Sequence, residues 1–182
     1  LTAAMGVKIN GVAIGASAND SAAAKADAIN AANAGVTATA RTEIRITVDD
    51  PNGGPADATI NGITVDLSAA GVAALSDVVT TINTTISGQT DIVASANSAG
   101  ELVLVSESGQ NILVDDGADN GGFFESAVGP DGIAITLTAG VGTAFGILTL
   151  PSDDGSQISL EDGETQAGTP AGSLHAGLDT LG

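Results

Sequence analysis

Apolar and polar positions alternate along much of this chain, and the alternation is broken twice by the same dipeptide. Val7, Ile9, Val12 and Ile14 form a short apolar series interrupted by Asn10-Gly11. Both residues of an Asn-Gly step tolerate positive φ, so it predicts a bent strand or a tight hairpin. Ser21 then stands at an N-cap position before an Ala-rich run to Asn33, with Gly35 as the stop. Val36, Ala38 and Ala40 lead into Ile44, Ile46 and Val48 at one parity, which gives a strand with a single apolar face. Asp49-Asp50-Pro51-Asn52-Gly53-Gly54-Pro55 is a turn or linker.

The same plan then recurs. Thr59 to Leu67 is a strand that carries Asn61-Gly62. Leu75, Val78, Val79, Ile82 and Ile86 fall on one helical stripe. Thr80, Thr81, Thr84 and Thr85 are poor helix formers, so packing must hold this helix, and Gly88 ends it. Asp91 to Ala96 and Glu101 to Val105 read as a hairpin around Asn97-Ser98-Ala99-Gly100. Ser108-Gly109 turns the chain toward Ile112, Leu113 and Val114. Asp115 to Gly122 is an acidic, Gly-rich loop, and Phe123-Phe124 predicts a core plug where two parts meet. Ile133, Ile135 and Leu137 alternate, and Phe145 to Leu150 with Ile158 to Leu160 completes a last sheet segment. Residues 161–182 have little periodicity and read as a return segment or a frayed tail.

Two patterns therefore repeat. Ile9-Asn10-Gly11-Val12 returns as Ile60-Asn61-Gly62-Ile63, each followed by a helix with an Ile-Asn pair, Ile29-Asn30 and Ile82-Asn83. Gly100, Leu102, Leu104, Ser106, Gly109 and Ile112 match Gly146, Leu148, Leu150, Ser152, Gly155 and Ile158 at one constant offset. Both openings precede both closings, which is the order of one unit nested in another. The expected fold is α+β: two related small units, each an antiparallel β-sheet packed on one short helix. Residues 1–48 with 132–182 form a discontinuous domain that receives residues 49–131 as an insertion. Two sequential, non-nested domains are the alternative. Duplicated packing units without a duplicated reactive group point to architecture.

Composition narrows the function. Among 182 residues, four are Lys or Arg and 22 are Asp or Glu, for a formal charge of −18. Such a surface repels phosphate backbones and anionic lipid, so neither nucleic acid nor membrane is an expected partner. No run of 18 apolar residues occurs. Leu1-Thr2-Ala3-Ala4-Met5 lacks the basic and apolar regions of a Sec signal, and a chain opening on Leu reads as a piece of something longer. Cysteine is absent, which excludes disulfides and thiol chemistry. Aromatic residues make up 2% of the chain, so packing must rest on small aliphatic side chains.

Candidate chemistry is sparse. The single histidine, His175, has no neighbouring ligand set for zinc. Gly-x-Ser-x-Gly is absent, and a sugar cleft lacks its usual Trp and Tyr platforms. Asp115, Asp116, Asp119 and Asn120 match a calcium loop in part, but Gly117 stands at the middle ligand position and no Glu closes the frame. The competing reading is a solvated turn. Asn19-Asp20-Ser21 and Asn83-Thr84-Thr85 fit the N-glycosylation pattern, yet both fall at predicted helices, where chance explains them. No catalytic residue and no cofactor is expected.

The Ile-Asn-Gly strand (Ile9, Asn10, Gly11; Ile60, Asn61, Gly62), the helix with Ile29-Asn30 or Ile82-Asn83, the strand Val36-Thr37-Ala38 or Ile92-Val93-Ala94, and the Gly-x-Leu-x-Leu-x-Ser closing together resemble the flagellin IN motif. The resemblance covers about residues 7–160 in two copies. It implies the variable, surface-exposed central region of a bacterial flagellin: a structural, non-enzymatic part of the motility filament that forms its antigenic outer surface. It further implies an extracellular location and export by the flagellar type III route. Other flagellin subunits would be partners through polymerising segments that are not in this chain, and antibodies, phage or host surfaces would be partners outside. The motif also occurs in filament cap proteins, which is one alternative; an extracellular adhesin is another.

Overall fold

The computed structural model describes residues 6–48, 57–67, 74–116, 123–138 and 140–161. Along the chain run β1 (Lys8–Ile9), β2 (Val12–Ala13), α1 (Ala22–Ala32), β3 (Thr39–Val48), β4 (Ala58–Ile60), β5 (Ile63–Val65), α2 (Leu75–Ile86) and β6 (Ile92–Ala96). There follow β7 (Leu102–Ser106), β8 (Ile112–Asp115), β9 (Phe124–Val128), β10 (Ala134–Ile135), β11 (Val141–Ala144), β12 (Ile147–Thr149) and β13 (Leu160–Glu161). The fold is α+β, with antiparallel sheets and two short helices among the described residues.

The chain divides into two compact units, a host of Leu1–Thr39 with Leu148–Gly182 and an inserted unit of Ala40–Ile147. In the host unit, β1 pairs with β2 across the Asn10-Gly11 turn and with β13 on its other side, Ile9 opposite Leu160. A bridge joins Val36 to Ser152. The second closing segment therefore completes the unit that residues 7–14 open. Helix α1 starts where Ser21 accepts the Ala24 N–H at 3.1 Å. It ends on Asn33, which takes the left-handed conformation at φ 52°, two residues before the expected stop at Gly35. Its buried face is Ala22, Ala23, Ala24, Ala26 and Ile29. Four of the five are alanines, so this face buries little side-chain volume.

One sheet runs β10-β9-β3-β7-β6, with β12 also paired to β3, and a second, in the inserted unit, runs β11-β8-β4-β5. The inserted unit's core gathers Ile44, Ile46, Ile60, Val65, Val78, Ile82, Ile86, Leu102, Leu104, Ile112 and Val114. Val78, Ile82 and Ile86 form the buried stripe of α2, and Leu75 and Val79 flank it half-buried. Burying each of those three side chains contributes roughly 1.5–3 kcal/mol. The threonines of α2 are held by back-bonding: Thr80, Thr84 and Thr85 donate their hydroxyls at 2.8 Å to the carbonyls of Ser76, Thr80 and Thr81.

Several sequence expectations need correction. The unit boundaries lie at 39/40 and 147/148, so residues 40–48 and 132–147 belong to the inserted unit. Parity alone shows that Ile44 and Ile46 face a core, but not that β7 and β9 flank their strand. Phe123 and Phe124 lie inside the inserted unit's own core, with ring centroids 5.4 Å apart. Ile133 and Phe145 are exposed despite their alternating context. The linker at residues 49–55 and the tail from 162 onward lie outside the described residues.

One turn is sterically unforgiving. Gly109 sits at φ +79°, and a Cβ there would lie 2.3 Å from the Ala40 Cβ and 2.9 Å from its carbonyl carbon. Gly100 has a similar φ of +81° with nothing within 4 Å. Gly100→Ala is expected to cost about 1–2 kcal/mol from the left-handed backbone alone. Gly109→Ala adds an overpacking cost and should lose roughly 3 kcal/mol or more in chemical denaturation.

Candidate functional site

The repeated residues come together as four carboxamide clamps, two in each unit. Asn10 and Asn61 occupy the first turn position of their hairpins at φ 51° and 50°, followed by Gly11 and Gly62 at 77° and 78°. Positive φ at both positions is the two-residue turn that fits strand twist. In the host unit the Asn10 N–H donates to the Ser159 carbonyl and the Ser159 N–H donates to Asn10 Oδ1, both at 2.8 Å. Asn10 Nδ2 donates to the Ala34 carbonyl at 2.8 Å. In the inserted unit the Asn61 N–H donates to the Leu113 carbonyl at 2.8 Å, and the Leu113 N–H donates to Asn61 Oδ1 at 2.7 Å. Asn61 Nδ2 donates to the Asn111 carbonyl at 3.1 Å. Ser159 and Leu113 hold the same place in the two closing patterns, one residue after Ile158 and Ile112.

The second pair ties each helix to the segment that follows it, Ala38 just before β3 and Ala94 in β6. Asn30 Nδ2 donates to the Ala38 carbonyl at 2.9 Å, and the Ala38 N–H donates back to Asn30 Oδ1 at 2.7 Å. Asn83 does the same with Ala94, at 2.9 and 2.8 Å. Neighbouring helix residues point about 100° apart. Ile29 and Ile82 therefore enter the core, 4% and 1% exposed, while the asparagine after each turns to that segment. In the inserted unit the segment is β6, at the end of its sheet. Its outward N–H and C=O at Ala94 are satisfied by a side chain where another strand would otherwise pair. The flanking isoleucines, Ile9 and Ile60, are buried at 2% and 0% exposure. All ten repeated residues thus serve packing or backbone satisfaction.

A second contact was not anticipated. In the inserted unit Asp91 Oδ2 accepts the Ser106 hydroxyl at 2.7 Å and the Ser108 N–H at 3.1 Å. In the host unit Gly35 stands in the place of Asp91, and the carboxylate comes from the closing segment, in the bend after Ser152. Asp154 Oδ1 accepts the Ser152 hydroxyl and the Ser156 N–H, both at 2.9 Å. Burial alone would push the Asp91 carboxyl up, but the Ser108 and Ser106 donors outweigh it and hold it below the ordinary range. Asp154 is lowered by the Ser156 backbone N–H first and the Ser152 hydroxyl next. The recurrence of Ser106 as Ser152 was the available signal, but its acid partner comes from a different segment in each copy.

Of the calcium-loop residues, Asp119 and Asn120 lie outside the described residues. Asp116 is 2% exposed and accepts the Phe124 N–H at 2.8 Å, so its carboxylate is engaged in joining the start of β9 to the end of β8. Asp115 ends β8, with Thr59 and Val141 as its strand partners. Among the described residues no group of three His, Cys, Asp or Glu side chains is placed to hold a metal ion. The sequons are committed elsewhere: the Asn83 amide to Ala94, and the Ser21 hydroxyl to Asn19 and the Ala24 N–H. His175 lies outside the described residues.

All four basic residues of the sequence have partners. Lys8 lies 3.9 Å from Glu161, Arg41 binds Glu43 at 2.7 Å and Glu107 at 3.2 Å, and Arg45 lies 3.9 Å from Glu43. Lys25 donates to the Asp20 carbonyl at 2.5 Å. Most of the 22 carboxylates therefore have no cation to neutralise them. No helix among the described residues is long and apolar enough to cross a membrane. Compared with known proteins, the chain matches no family model and no curated protein.

Asn83→Ala orphans the Ala94 backbone groups and is expected to cost roughly 1–3 kcal/mol in denaturant titrations. Asn83→Asp should be at least as destabilising at neutral pH, because a carboxylate then faces the Ala94 carbonyl. Its deficit should shrink as pH falls and the new carboxyl, raised by that contact, protonates and regains a donor.

Asp91 has the opposite sign. Its folded pKa lies below the unfolded one, so its stabilisation is present above the ordinary carboxylate range and is lost as pH falls through the folded value. The stability gap between the parent chain and Asp91→Asn should be widest near pH 7 and should close below about pH 4.

Proposed function

We propose that this chain is a structural, surface-forming piece of a bacterial flagellar filament, the outer region of a flagellin, and that it performs no catalysis. The observation that carries the reading is the recurrence of the asparagine clamps in host and inserted units: Asn10 with Ser159 matches Asn61 with Leu113, and Asn30 with Ala38 matches Asn83 with Ala94, while the Asn10 and Asn61 side-chain amides go to different carbonyls. Residues that recur in an enzyme converge on a reacting group; these converge on backbone amides and carbonyls. The resemblance of both copies to the flagellin IN motif supplies the biological setting. With it come an extracellular location, export through the flagellar type III route, and neighbouring flagellin subunits as partners.

The charge supports the same role. With every cation engaged, the formal charge of −18 leaves a surface that repels its own copies at long range. A filament covered by such units stays dispersed, and its exposed face is what antibodies, phage or host surfaces meet. Rigidity comes from sheets whose edges are sealed by side chains.

Immunogold labelling with antibodies raised against the purified chain tests the assignment on cells of the source organism. Label along the whole filament is the expected result. Label confined to the tip would assign the chain to the filament cap, and label on the cell body alone would make it an adhesin.

A further inference from the structure

Both points at which the inserted unit joins the rest of the chain, 39/40 and 147/148, lie within the host unit's sequence. A pull between the chain ends therefore reaches residues 40–147 only through the host unit. Ahead of the β12–β3 pairing at the unit boundary, the host unit closes that path in two places. The first is the β1–β13 pair, where Lys8 faces Glu161, Ile9 faces Leu160, and Asn10 exchanges its two 2.8 Å bonds with Ser159. The second is a bar between residues 35–37 and 151–153. There Val36 bridges Ser152, the Thr37 N–H donates to the Pro151 carbonyl at 3.3 Å, the Asp153 N–H donates to the Gly35 carbonyl at 3.1 Å, and the Thr37 hydroxyl donates to Asp153 Oδ1 at 2.7 Å.

We propose that the host unit is a tension clasp: it carries any pull between the chain ends and keeps the inserted unit unloaded until the Asn10–Ser159 contact and the 35–37/151–153 bar have parted. The order of opening is set by connectivity, not by which unit is more stable. The clasp is also built to open gently. Because β1 and β13 are antiparallel, the chain enters at Lys8 and leaves at Glu161 on the same end of the pair, so tension peels one pair at a time. The host unit thus yields length first, and the larger core of the inserted unit is spared. This inference stands on the connectivity of the units and is independent of the filament assignment.

Optical-trap pulling decides it. The chain has no cysteine, so one introduced at each end gives unique handles. The first event should release roughly 15–25 nm and the second on the order of 40 nm, at about 3.5 Å per residue. Asn10→Ala should lower the force of the first event. Asn61→Ala, the same change in the equivalent turn of the inserted unit, should leave that force unchanged. If the two events merge, the same comparison decides, since only the host-unit change can then lower the merged force. Asn10→Ser and Asn61→Ser serve if an alanine variant fails to fold. Opening of residues 40–147 before the host unit, or a first event weakened by the Asn61 change, would overturn the proposal.

Discussion

An asparagine side chain is a peptide group on a short arm, with one carbonyl acceptor and an amide donor. Everything in this fold that is too short to hold itself depends on that equivalence. The strands β1, β2, β4 and β5 are two or three residues long, and ladders of that length leave more backbone groups open than they close. Asn10 and Asn61 extend each of those ladders by a pair of bonds while forming the turn itself. Asn30 and Asn83 supply to Ala38 and Ala94 the donor and acceptor that a further strand would have supplied. An open strand edge is a template for unwanted pairing, so the clamp contributes solubility as well as stability.

Small side chains make this economy possible. The host unit's helix buries four alanines and one isoleucine, and in the inserted unit Gly109 meets Ala40 with no room for a methyl group. Such a core gains little transfer energy per residue, which raises the relative weight of each satisfied amide. The inserted unit adds larger aliphatics and two phenylalanines. The surface charge then acts at longer range than any of these contacts, and the four cations are spent on local pairs without altering its sign.

Much of this was legible in the sequence where a residue type has one physical use. Asn-Gly followed by an apolar residue gave both hairpins, Ser21 gave the start of α1, and the stripe from Leu75 to Ile86 gave the buried face of α2. The clamp residues could be named because they recur, but their partners could not. Ala34, Ala38, Ala94, Ser159 and Leu113 take part through backbone atoms, which leave no trace in side-chain identity. The boundary at 39/40 was hidden because parity runs unbroken from Val36 to Val48 across it. Ile133 and Phe145 misled for a related reason, since alternation tells which residues share a face and not whether that face is covered. The shift of the carboxylate from Asp91 to Asp154 left no pattern in the sequence because the copies share the serine hydroxyl bond but take the carboxylate from different segments.

Amide hydrogen exchange, followed by NMR at single residues, tests the clamp idea most directly. In Asn83→Ala the Ala94 amide should lose its protection while Ala38 keeps its own, and Asn30→Ala should reverse the pattern. Slow exchange at Ala94 after the Asn83 side chain has gone, or equal acceleration at every amide of the unit, would contradict the account.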